Sequence, residues 1–81
     1  MAEVVPSIFS IRNNYADTIE FCIEPYGMIY IMHRNETFNI VIAGVLEDNQ
    51  FELFIYINRI SLFGDRETMS IYNEQGVKLE F

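Results

Sequence analysis

Glu20 and Glu24 are the first residues in this chain whose type and spacing could do chemistry. Paired carboxylates hydrolyse glycosides when they stand roughly 5–9.5 Å apart. Here Ile19, Phe21 and Ile23 alternate with them. That puts both acids on one face of a strand, about 13 Å apart at ~3.3 Å per residue. The gap is too wide, and the pair reads as a solvated face. His33 is the single histidine and Cys22 the single cysteine. A zinc site wants three or four ligands at recognisable spacing, so no metal and no cofactor are expected. No nucleophile or orienting carboxylate can be named for His33 as a general base; its ring reads as a cap on the end of an apolar face. Cys22 reads as a small strand residue rather than a reactive thiol, and is expected on the opposite face of its hairpin from His33. Gly27, Gly44, Gly64 and Gly76 are scattered singly, as turn and bulge positions are, and form no phosphate-cradling loop. The expectation is a protein that is not an enzyme.

The elements that would position these residues follow from one pattern. Apolar residues recur at every second position: Ile19, Phe21, Ile23; Phe51, Leu53, Ile55, Ile57; Val77, Leu79, Phe81. No 3.6-residue period is sustained over a helix-length window. The fold class expected is all-β: a small antiparallel β-sandwich or partly closed barrel of about seven or eight short strands connected mainly by hairpins. Strands are expected over about 8–12, 18–24, 28–33, 37–43, 50–57, 60–63, 68–72 and 77–81, behind an N-terminal tail over 1–7. Residues 8–81 form a single domain, as the 81-residue length implies.

Three turns set register. Asn73-Glu74-Gln75-Gly76 fits a type I turn with Gly76 left-handed, pairing Asn73 with Val77 and Ile71 with Leu79. Glu24-Pro25-Tyr26-Gly27 fits the same turn, with Pro25 first and Gly27 left-handed, pairing Ile23 with Ile29 and Phe21 with Ile31. A two-residue loop there would instead pair Ile23 with Met28 and Phe21 with Tyr30, and both registers leave an apolar face. Asn58-Arg59 is the weakest turn, because Arg disfavours the positive φ of a tight hairpin. It pairs Ile57 with Ile60 and Ile55 with Leu62, facing inward, and sets Phe54 opposite Phe63 and Tyr56 opposite Ser61, facing outward.

That outward face is aromatic where water would be expected. Phe54, Tyr56 and Phe63, with Tyr72 on the flank, form the candidate partner-binding surface, since contiguous exposed aromatic area marks interfaces. The competing reading is internal packing under a closed barrel or second sheet. A further alternative is a small-ligand-binding β-barrel with Tyr30, Met32 and His33 lining its mouth.

Charge narrows the partners. The formal net charge is −7. Phosphate binding needs a basic patch, so nucleic acid is excluded as a partner, and so is an anionic membrane surface. An acidic shell suits a basic protein partner, and it also keeps an apolar β domain from self-associating. Glu3 stands where a signal peptide carries its basic residues, and no stretch approaches the ~20 apolar residues of a membrane helix. A cytoplasmic location is expected. The functional expectation is a protein–protein interaction module, acting as a homo-oligomer or as a small inhibitor of the immunity-protein type whose acidic groups speed its encounter with a basic target.

The runs Ile11-Arg12-Asn13-Asn14 and Thr18-Ile19-Glu20-Phe21-Cys22-Ile23-Glu24-Pro25-Tyr26-Gly27, then Tyr30, resemble a group of small uncharacterised bacterial all-β proteins. These carry an Asn-rich first strand, a Glu-Pro-aromatic-Gly turn and an aromatic-Gly near the C-terminal hairpin. Phe63-Gly64 and the hairpin from Tyr72 to Leu79 are similar to that last part. The resemblance covers most of the chain, and turn chemistry carries it. The group often has Trp where Tyr26 and Phe63 stand, whereas this chain has none. The resemblance implies a bacterial or phage origin and a fold, not a reaction.

Overall fold

The computed structural model describes residues 7–43 and 51–81. Residues 1–6 of the expected tail over 1–7, Gly44 and Gln50 lie outside them, while Ser7 belongs to the first strand rather than to the tail. Seven strands form: β1 (Ser7–Arg12), β2 (Thr18–Glu24), β3 (Met28–His33), β4 (Thr37–Ile42), β5 (Glu52–Ile55), β6 (Arg59–Phe63) and β7 (Met69–Tyr72). They make two sheets, a three-stranded one in the order β1-β4-β7 and a four-stranded one in the order β3-β2-β6-β5. The fold is all-β, and the sheets do not close into a barrel. Among the described residues no helix is long and apolar enough to cross a membrane.

Alternation explains which side chains meet. Phe38, Ile40 and Ile42 of β4 point inward, as do Met69 and Ile71 of β7. Phe21, Ile23 and Met32 face them from β2 and β3, and Ile60 and Leu62 from β6. The Phe21 and Phe38 rings meet edge to face across the layers, with centroids 5.1 Å apart.

Hairpins join β2 to β3 and β5 to β6. The other connections pass from one sheet to the other, so hairpins are fewer than the sequence suggests. β2 and β6 run parallel. Segment 77–81 is not a full strand: it makes one bridge, Tyr72 to Lys78, beside β7. Its register is the one the turn chemistry sets. The Asn73 amide donates to the Val77 carbonyl, the Leu79 amide donates to Ile71, and Gly76 takes φ +79°. Asn73 Oδ1 also accepts from the amides of Gln75 and Val77.

Two register expectations need correction. At the β2–β3 hairpin, Ile23 pairs with Met28 and Phe21 with Tyr30, the two-residue-loop alternative. The Glu24–Pro25 peptide is cis and Gly27 has φ +71°. Inward apolar residues on β3 are therefore Met28, Tyr30 and Met32, while Ile29, Ile31 and His33 face out. At the β5–β6 hairpin the turn is Ile57-Asn58, not Asn58-Arg59. The Tyr56 amide donates to the Arg59 carbonyl, and Ile55 pairs with Ile60. The shift is two residues, so faces are preserved, Arg59 escapes the turn, and Phe54 sits opposite Ser61 rather than Phe63.

Asn13, expected only as a turn marker, is the one buried polar residue among those described. Its Nδ2 donates to the carbonyls of Ala16 and Met32, and its Oδ1 accepts from the Ala16 amide. Its backbone bonds to Glu36 and Asn35. One side chain thus ties the β1–β2 loop to the end of β3. Asn13→Ala leaves those buried groups unpaired, and a loss of about 1–3 kcal/mol in urea unfolding is expected.

Candidate interaction surface

The four-stranded sheet has an inner and an outer face, and its register fixes both as a grid. Across the outer face one row runs Ile29, Cys22, Ser61, Phe54; the next runs Ile31, Glu20, Arg59, Tyr56. Glu24, Phe63 and Glu52 form a third. Aromatic residues therefore line the β5 side and isoleucines the β3 side, with charged and polar groups between them.

Arg59 and Glu20 hold that centre. Arg59 Nε and Nη2 both donate to Glu20 Oε1, at 3.0 and 2.9 Å. The hydrogen bond makes the guanidinium hold its proton more firmly than usual. Both side chains are about half exposed, so the pair orders the surface more than it stabilises the fold.

Cys22 lies in the same face and is buried. Burial pushes its thiol up from the ordinary range; Arg59 opposes this, Glu20 and Glu24 add to it, and a hydrogen bond with Ser61 opposes it again. Native Cys22 should react with iodoacetamide at pH 8 at least about tenfold more slowly than the unfolded chain, because the thiolate is the nucleophile and access is closed. The folded chain also holds the thiol proton more tightly than the unfolded one. That increment of stability is complete below the ordinary thiol pKa and is lost as pH rises through the higher folded value. Cys22 shares its face with His33, correcting the expectation of opposite faces. Cys22 stands opposite Ile29, four residues along β3 from His33, or about 13 Å. Among the described residues no group of three potential metal ligands forms.

The expected aromatic cluster is partly assembled. Phe54 and Phe63 meet edge to face at 5.5 Å on a diagonal, and Tyr56 continues the same face of β5. Tyr72 does not join them. It belongs to β7 in the other sheet and points outward there, because Met69 and Ile71 point in.

Residues of the inner face were missed. Leu53 and Ile55 share the inward side with Ile60 and Leu62, yet are 38% and 73% exposed. Phe51, just before β5, stacks on Phe9 of β1, so the opposite sheet covers the start of β5 and not its hairpin end. Phe54 and Tyr56 on the other side are 40% and 57% exposed, and Ile57 at the hairpin tip is 94% exposed. Five consecutive apolar residues thus stand in solvent, on both faces of one edge strand and at the turn that ends it. The unbroken run Leu53-Phe54-Ile55-Tyr56-Ile57 was the signal available in the sequence.

Among the described residues nothing pairs with the outer edge of β5. Bonded pairs alternate along an antiparallel ladder. The Tyr56 amide bonds to Arg59 on β6, so Phe54 and Glu52 also bond inward to β6. The amides and carbonyls of Leu53 and Ile55 therefore point away from the sheet. No Lys, Pro or bulge guards this stretch, although edge strands commonly carry such devices.

The alternative ligand residues do not converge. The Tyr30 hydroxyl donates to the Glu80 carbonyl and accepts from its amide, Met32 is fully buried, and His33 is exposed on the opposite face. The larger surface cleft, about 420 Å³, lies elsewhere, between Arg66, Met69 and segment 78–81. A second, about 230 Å³, runs between the β1–β2 loop and the β5–β6 tip.

The chain matches no family model, no curated protein and no solved structure.

Proposed function

We propose that this chain is a non-enzymatic, cytoplasmic protein-interaction module whose docking element is the edge strand β5. One observation carries the reading: five consecutive apolar side chains are exposed on both faces of β5 and at the hairpin tip that follows it, and the outer main-chain groups of Leu53 and Ile55 have no partner among the described residues. Strand addition to such an edge gives affinity through main-chain hydrogen bonds, and the side chains on each face give specificity. Phe54, Tyr56 and Phe63 act with Leu53, Ile55 and Ile57, because a partner strand would contact both faces. The partner is a second copy or a basic protein held in the manner of an inhibitor or immunity protein.

A photo-crosslinking residue placed at Ile55 in living cells tests this. Discrete covalent adducts are expected at Ile55 and none at Gln75, an exposed turn position on the other sheet's hairpin. If no protein, the chain itself included, is captured at Ile55, the reading is wrong.

A further inference from the structure

We propose that the occupant of the β5 edge is a second copy of this chain, paired antiparallel about a two-fold axis through Ile55 to make one continuous eight-stranded sheet. This rests on the interaction reading above.

Three constraints meet in this pairing. A two-fold axis normal to the sheet continues the outer face of one copy into the outer face of the other, so even residues must oppose even ones. Hydrogen bonding demands the same parity, because Leu53 and Ile55 carry the outward main-chain groups. The exposed run 53–57 has Ile55 as its midpoint. With Ile55 on the axis, the extended residues Phe54, Ile55 and Tyr56 each meet another from the same run, and the Ile57 turn lies beyond the pairing. Ile55 faces Ile55 and Phe54 faces Tyr56, the last as two aromatic pairs across strands.

Charge favours a copy over a basic partner. The run contains no carboxylate, so the acidic shell is absent where the edge is open. Glu52, the one charge on β5, lies three residues from the axis. Its counterpart in the second copy stands six residues away, about 20 Å, well beyond the ~8 Å screening length at physiological salt.

Oxidation of Ile55→Cys reads this geometry directly. Opposed bonded residues have Cα atoms about 5.5 Å apart, inside the range a disulfide spans. The wild-type chain, whose lone Cys22 is buried, is the control. Light scattering on the purified wild type is expected to give twice 9.5 kDa. Ile55→Cys should give a band at that doubled mass on a non-reducing gel that reductant removes, and the wild type none. A wild-type dimer with no disulfide at position 55 overturns the proposal by placing the contact elsewhere. A monomer at every concentration overturns it too, while adducts of another mass at Ile55 in cells would leave the interaction reading standing.

Discussion

Ile55→Lys combined with Ile57→Lys is expected to abolish association through β5 while the fold persists. Both side chains are among the most exposed apolar groups described, so their loss removes little from the monomer's core. Surface changes of this kind usually fall within about 0.5 kcal/mol of neutral. In a complex the same positions become central and dry. Truncating such an anchor costs about 2 kcal/mol or more, and burying an unpaired ammonium costs further. A combined loss of about 3 kcal/mol raises Kd by a factor of roughly 100. Sedimentation or light scattering across a dilution series measures it, with thermal unfolding as the fold control. Unaltered association with an unaltered fold would place the interface elsewhere.

Phe21→Ala carries the largest expected effect on stability. Phe21 is fully buried, sits on the central strand β2, and packs edge to face on Phe38 of the opposite layer. Truncating a buried Phe costs about 3–5 kcal/mol through lost transfer energy and the cavity left behind. At roughly 0.05–0.15 kcal/mol per residue, a chain of this length has about 4–12 kcal/mol in all. A fall in Tm of roughly 15–30 °C is therefore expected. Phe63→Ala, on the exposed face, should cost far less. Similar losses for the two variants would mean that the layers are not packed as described.

The sequence disclosed what is local. The turn at Asn73 to Gly76 is specified by a left-handed glycine and an Asn side chain that bonds two amides ahead of it, so its register could be read directly. The turn at Pro25 was ambiguous because both registers leave an apolar face, and tertiary packing chose between them. At Ile57-Asn58 the two-residue shift kept every side chain on its expected face. The expected outward aromatics Phe54, Tyr56 and Phe63 therefore stand outward despite the wrong pairing.

Long-range pairing left no such trace. Nothing local says that β2 and β6 run parallel, or that one sheet has four strands and the other three. The exposure of β5 depends on how far the opposite sheet reaches along it, which Phe51 on Phe9 marks, so Leu53 and Ile55 read as core from alternation alone. Tyr72 went astray for the same reason: alternation gives a face, but not the sheet that owns it. Asn13 read as a turn residue because its bond to the Met32 carbonyl spans nineteen positions.

The most direct test of β5 as a docking edge is residue-resolved amide hydrogen exchange. The amides of Leu53 and Ile55 point away from the sheet, whereas those of Phe54 and Tyr56 point into it. If β5 is the docked edge, the Leu53 and Ile55 amides are protected at high protein concentration or with a partner bound, and exchange rapidly on dilution to the free chain. Phe54 and Tyr56 stay protected in both. Rapid exchange at Leu53 and Ile55 in an assembly of demonstrated larger mass would contradict the account.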